Sequence, residues 1–91
     1  MALGYCSVTG VFLDKEHAQE AADLLRERGQ ALTLIPAEGI SGAQRVAIQT
    51  TARRKHVGAI KNLLFASDPG VVVTVQAAQQ AEGVTIADVI K

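Results

Sequence analysis

The sequence predicts an α+β domain in which two helices cover one face of a four-stranded antiparallel sheet. Two observations predict it. Four short runs rich in β-branched and apolar residues recur along the chain, each too short for a buried helix. Two longer stretches with apolar residues three and four apart lie between the first and second runs and between the third and fourth.

Residues 7–13 (Ser-Val-Thr-Gly-Val-Phe-Leu) form the first predicted strand. Asp14 follows, a residue that caps a helix by accepting a free backbone N–H. The spacing predicts a helix over 15–28. Ala18, Ala21, Ala22 and Leu25 share its apolar face and Leu24 widens it, while Lys15, Glu16, Gln19, Glu20, Asp23 and Glu27 lie largely outside. Gly29 stops the helix. Residues 31–35 are the second strand, ended by Pro36, which cannot donate to a ladder. Residues 36–45 then read as a loop, long for a plain hairpin and carrying two glycines. Residues 46–50 are the third strand. Thr51 caps a second helix over 52–66, with Val57, Ile60 and Leu64 as its core stripe and Leu63 alongside. Gly58 costs that helix about 1 kcal/mol relative to Ala, which close packing on the sheet would explain. Ser67, Asp68, Pro69 and Gly70 make a turn, and residues 71–75 (Val-Val-Val-Thr-Val) a fourth strand. Residues 84–90 read as either a short strand or a short helix. The order β-α-β-β-α-β is that of a ferredoxin-like sandwich, with the first and third strands central and the second and fourth at the edges.

Alternation divides the strands into two faces. Val8, Phe12, Leu32, Leu34, Val46, Ile48, Val71, Val73 and Val75 form the more apolar set and should meet the helices. Thr9, Val11, Leu13, Thr33, Ile35, Ala47, Gln49, Val72 and Thr74 form the other. That mixture suits a subunit interface, and the fourth strand lacks any charge or proline to block further pairing. A homo-oligomer, dimer or trimer, is therefore expected.

The chain has 91 residues, enough for one domain, read as a core over about 7–76 with a C-terminal extension over 77–91. Hydrophobic residues at 48% argue against disorder, and aromatics at 3% leave the core to Val, Ile, Leu and Ala. Lys plus Arg and Asp plus Glu are 9 each, a balance that disfavours a nucleic-acid or membrane-surface binder. One cysteine, Cys6, cannot close an internal disulfide and suits the reducing cytoplasm. No run approaches the roughly 18 apolar residues of a membrane helix, and the N-terminus has no signal-peptide pattern.

Candidate binding residues fall in two groups. In the loop, Glu38, Gly39, Ser41 and Gly42 offer backbone N–H groups, a hydroxyl and a carboxylate of the kind that can cradle a ligand, without the ending of a phosphate loop. Arg53, Arg54, Lys55 and His56 crowd the predicted start of the second helix, where positive charge opposes the helix dipole and an anion would relieve it. Arg45, at the loop's exit, is placed to converge with them. A flexible connection and a solvated basic turn are the competing readings. His17 and His56, on different helices, have no carboxylate or cysteine at ligand spacing, so no metal site is expected. Cys6 has no histidine or Cys-x-x-Cys partner, and Asp14 and Glu16 serve the helix start; no catalytic residue is assigned. Tyr5, Phe12 and Phe65 do not supply the aromatic platform of an RNA-recognition sheet.

Taken in order and spacing, Thr33 to Ile35, Glu38-Gly39, Ser41-Gly42, the run from Val46 to Thr50, Arg53 or Arg54, Ile60-Lys61, Asp68-Pro69 and Val72-Thr74-Val75 resemble the cytoplasmic C-terminal domain of the YitT group of bacterial membrane proteins. The resemblance runs over about residues 7–83. Its membrane part has no counterpart here, which implies a free-standing version or an excised domain. The related loops carry an aromatic between their Glu-Gly and Ser-Gly or Thr-Gly pairs. Here only Ile40 lies between the pairs and the loop is shorter, so no stacking contact is carried over. More loosely, the layout is similar to the nitrogen-regulatory PII proteins, ferredoxin-like trimers that bind nucleotides between subunits beside the loop joining strands two and three.

These readings together predict a PII-like regulatory domain. It binds an anionic small molecule or nucleotide near the loop between strands two and three, requires no cofactor and is not an enzyme. The alternative is a structural homo-oligomeric assembly or protein-interaction module with no ligand. A small enzyme of the dimeric α+β barrel kind has least support, because no base or nucleophile stands out.

Overall fold

The computed structural model describes residues 4–38 and 42–77. The element order is β1 (Tyr5–Phe12), α1 (Lys15–Glu27), β2 (Thr33–Glu38), β3 (Gln44–Arg53), a 3-10 turn (Arg54–His56), α2 (Val57–Ser67) and β4 (Val72–Ala77). The four strands form one antiparallel sheet in the order β2-β3-β1-β4, with both edges as expected. Residues 84–90 lie outside the described residues.

The strand register explains the two faces. Val8, Gly10 and Phe12 of β1 stand beside Thr50, Ile48 and Val46 of β3. This face packs on Ala18, Ala21, Ala22 and Leu25 of α1 and on Ile60, Leu63 and Leu64 of α2. The centre of the core is a hole in the sheet. A Cβ on Gly10 would lie 3.1 Å from Leu64 Cδ1 and 3.4 Å from Val71 Cγ2, so the missing side chain is the room that Leu64 occupies.

On the opposite face the register aligns Ile35, Ala47, Val11 and Val72 in one row across all four strands, with Thr33, Gln49, Thr9 and Thr74 in the next. The apolar row lies uncovered at its two ends, with Val72 63% and Ile35 38% exposed.

α1 forms as its residues dictate. Asp14 Oδ1 accepts from Glu16 N–H at 3.0 Å at the N-terminus. At the other end Gln30 N–H donates to Leu25 O (3.0 Å) and Gly29 N–H to Arg26 O (2.9 Å), with Gly29 at φ +79°: a Schellman closure that needs the left-handed residue. That closure delivers Gln30 to the sheet. Its Nε2 donates to Thr50 Oγ1 (2.7 Å) and to Thr51 O (2.9 Å), and Thr50 Oγ1 donates to Ala31 O (2.6 Å). Thr50, the buried polar residue of the core-facing side, is satisfied in this way.

Several expectations are corrected. Pro36 does not end β2; the strand runs on to Glu38, with Pro36 opposite Val46. An edge strand pairs on one side only and tolerates a residue without an N–H. The loop therefore shrinks to residues 39–43. Thr51 caps no helix: β3 continues through Arg53, Thr51 faces Ser7 across the ladder, and α2 begins at Val57. Leu24 does not widen the core face of α1 but is exposed. Leu13 lies just beyond β1 and is also exposed. Gly58 is not a close-packing position, since a Cβ there would meet nothing within 4 Å.

The two glycines should respond with opposite signs. Gly10→Ala forces Leu64 or the strand to move and should destabilise by about 1–3 kcal/mol, whereas Gly58→Ala should stabilise by up to about 1 kcal/mol through helix propensity; urea unfolding midpoints measure both. By the same measurement Thr50→Val, which removes the donor to Ala31 O and one acceptor of Gln30 Nε2, should cost about 0.5–1.5 kcal/mol.

Candidate functional site

The two ends of β3 hold the two groups of candidate residues apart. Glu38 and Arg45 are not loop residues but the last rungs of the β2–β3 hairpin, Glu38 facing Gln44 and Arg45 facing Ala37. Gly42 lies in the short connection with φ +74°, a backbone conformation in which a side chain is strained. Gly39 and Ser41 lie outside the described residues.

Arg53 ends the same strand, eight residues beyond Arg45. At roughly 3.3 Å per residue the two are about 26 Å apart, so Arg45 does not converge with Arg53 and Arg54 within one chain. Arg53 also has a structural occupation: its guanidinium carbon lies 5.3 Å from the centroid of the Tyr5 ring, its neighbour in the register. Such a cation–π contact contributes about 0.5–1 kcal/mol at an exposed site. Arg54, Lys55 and His56 form the 3-10 turn rather than the first turn of an α-helix, and all three are exposed.

At the hairpin end a cleft of about 370 Å³ opens between the start of α1 and the β2–β3 hairpin. It exists because the helices pack over β1 and β3, while the end of β2 is left partly uncovered. Leu34, Pro36 and Val46 line it from the strands, and Ala18 and Gln19 from the helix. Two cations border it, Lys15 from the first position of α1 and Arg45 from β3. Arg45 Nη1 donates to Gln44 O at 3.1 Å, a bond that takes one of the five guanidinium donors and fixes the side chain at the hairpin. Gln19 Nε2 is engaged with Asp23 Oδ1 at 3.1 Å. The chemistry available is a largely apolar surface with two positive charges at its border, suited to holding an anion.

Of the predicted binding residues among those described, only Arg45 lines this cleft. Lys15 was legible as a helix-surface residue and nothing more, because its meeting with Arg45 depends on how α1 folds back across the sheet. A second, smaller cleft of about 270 Å³ lies at the other end, between Arg28, Gln30 and His56 over a floor of Leu25, Ala59, Ile60 and Leu63. Among the described residues no group of three His, Cys, Asp or Glu could hold a metal ion, and no helix is long and apolar enough to cross a membrane.

The fold has solved counterparts. A functionally unknown protein from Pediococcus pentosaceus superposes with a TM-score of 0.78 at 12% identity, over 90% of this chain and 99% of that one. PII from Arabidopsis thaliana, bound to citrate, gives 0.72 at 13% identity over 84% and 78%. CutA from Synechococcus elongatus gives 0.68 at 15% identity over 84% and 78%. At these identities the likeness is one of fold, and it is the PII-like, ferredoxin-type α+β fold expected from the element order. No curated protein matches the sequence. A family model does match, over residues 30–88, which take in β2, β3, α2 and β4. The chain therefore belongs to the bacterial family described as "Uncharacterized protein conserved in bacteria (DUF2179)".

Proposed function

We propose that this chain is a PII-like regulatory module that binds a small anionic molecule at the hairpin end of its sheet and catalyses nothing. The observation that carries the reading is the cleft bordered by Lys15 and Arg45, two cations brought from different elements to one largely apolar surface. A carboxylate or phosphate held there exchanges water for charge-assisted hydrogen bonds, and an arginine can grip it with two parallel N–H groups. The similar Arabidopsis PII was solved with citrate, an anion of this general class. Gly42 is assigned to the β2–β3 connection near the cleft; Gly39 and Ser41 lie outside the described residues and are kept as candidates on the sequence alone. Glu38, whose carboxylate would repel an anion, is left outside the anion site, and so are Arg53 and Arg54 at the far end of β3. The lone buried Cys6 suits a cytoplasmic setting.

Thermal-shift titration with citrate and with adenine nucleotides tests this reading. A bound anion at a hundredfold excess over Kd should raise Tm by more than about 10 °C. Arg45→Ala should weaken the binding roughly 10- to 150-fold, the value of a charged hydrogen bond, while leaving folding stability within about 0.5 kcal/mol. No shift with any anion at millimolar concentration contradicts the reading and favours a ligand-free assembly module.

The same chain is proposed to self-associate as a closed dimer or trimer. The supporting observation is the row of Ile35, Ala47, Val11 and Val72 on the helix-free face, beside a β4 edge without proline or charge. Pro36 guards the opposite edge; among the described residues β4 has no such guard. Light scattering at micromolar concentration should give a multiple of the 9.6 kDa chain mass. Val11→Lys with Val72→Lys should reduce it to the monomer; a wild-type monomer at every concentration contradicts the assembly.

A further inference from the structure

We infer that the anion taken by the cleft is an amphiphile with an aliphatic body, of the medium-chain carboxylate class, rather than a nucleotide; this rests on the reading above that the cleft binds an anion. Three observations carry it. The first is the lining, in which Leu13, Leu34, Ile35, Pro36, Val46 and Ala18 supply the apolar surface and no aromatic ring takes part. A nucleobase is ordinarily held by stacking on an aromatic face. Among the described residues none is available: Phe12 is fully buried in the core, Tyr5 lies at the other end of β1 beneath Arg53, and Phe65 belongs to α2.

The second observation is the exposure of that lining. Leu13 is 58% exposed, and Pro36, which stands on the cleft side opposite Val46, is exposed as well. An alkyl chain laid along them removes apolar surface from water at both partners, which a polar anion does not. The third is the charge. Lys15 and Arg45 can each give a charged donor to one oxygen of a single carboxylate, whereas a nucleoside triphosphate brings about twice the negative charge that two cations answer, in a cleft at the small end of ligand pockets, which span about 300–1,000 Å³. The polar head would sit at Arg45 and Lys15 and the chain would run over Leu13 and Pro36.

Calorimetric titration with hexanoate, octanoate and decanoate, with octanol, and with AMP and ATP tests the inference on the intact chain. Affinity should rise about fourfold per added methylene and fall at least tenfold from octanoate to octanol. Arg45→Gln should abolish the difference between octanoate and octanol. Leu13→Ser should flatten the chain-length series, while Leu24→Ser, which removes an exposed leucine from outside the cleft, should leave it unchanged. A flat series in the wild type, a series altered equally by Leu24→Ser, or tighter binding of AMP or ATP than of decanoate would overturn the aliphatic assignment and leave the anion site standing. Failure of every carboxylate and nucleotide to bind would overturn both.

Discussion

The contact between Leu64 and the empty side-chain position of Gly10 sets how the helices sit on the sheet. Gly10 lies in a cross-strand row with Leu34, Ile48 and Val73, and the gap it leaves is filled from above by α2. With α2 drawn down over β1, α1 is the helix left to cover β3, where Ala18, Ala21 and Ala22 give it the low profile that close approach requires. Two helices placed in this way leave the end of β2 partly bare. The cleft beside Lys15 and Arg45 is thus a consequence of packing at the opposite side of the sheet rather than of the loop's own chemistry.

The second determinant is the junction after α1. The Gly29 closure aims Gln30 at Thr50, and the resulting bonds tie the end of the helix to the central strand. A buried threonine at that point would otherwise cost the desolvation of its hydroxyl. The network fixes the end of the domain opposite the cleft, so the two ends of β3 have different work: one is a structural knot bordered by Arg53 on Tyr5, the other presents cationic and apolar surface, with one of Arg45's donors held by Gln44 O.

Most of the fold was legible because its signals are local. The alanine stripe of α1, its Asp14 cap and Gly29 stop, and the alternation of β1 each arise within a few residues of sequence. The misreadings at Pro36 and Thr51 share one cause, a local signal overruled by the neighbour across the ladder. Pro36 breaks strands in general, but at an edge it has one paired side and β2 passes through it. Thr51 has the chemistry of a cap, yet Ser7 opposite holds it in β3. Of the two glycines within regular elements, Gly58 attracted a packing role by sitting in a helix, while Gly10 holds it; the parity of Gly10 with Val8 and Phe12 was the available sign. The candidate site was less legible. Arg53 and Arg54 stood out as a charge run, but a charge run records sequence proximity, and the cleft joins Lys15 to Arg45 across thirty positions of the chain. Only the folded path of α1 over the sheet brings them together.

The proposed anion site lies at the hairpin end of the sheet, beside α1. The most direct measurement is an amide NMR titration of the protein with octanoate and, separately, with citrate. Saturable shift changes confined to residues 13–19 and 34–46 are predicted. Changes centred on residues 53–56, with those of Lys15 and Arg45 unmoved, would contradict it and return the site to the basic turn before α2.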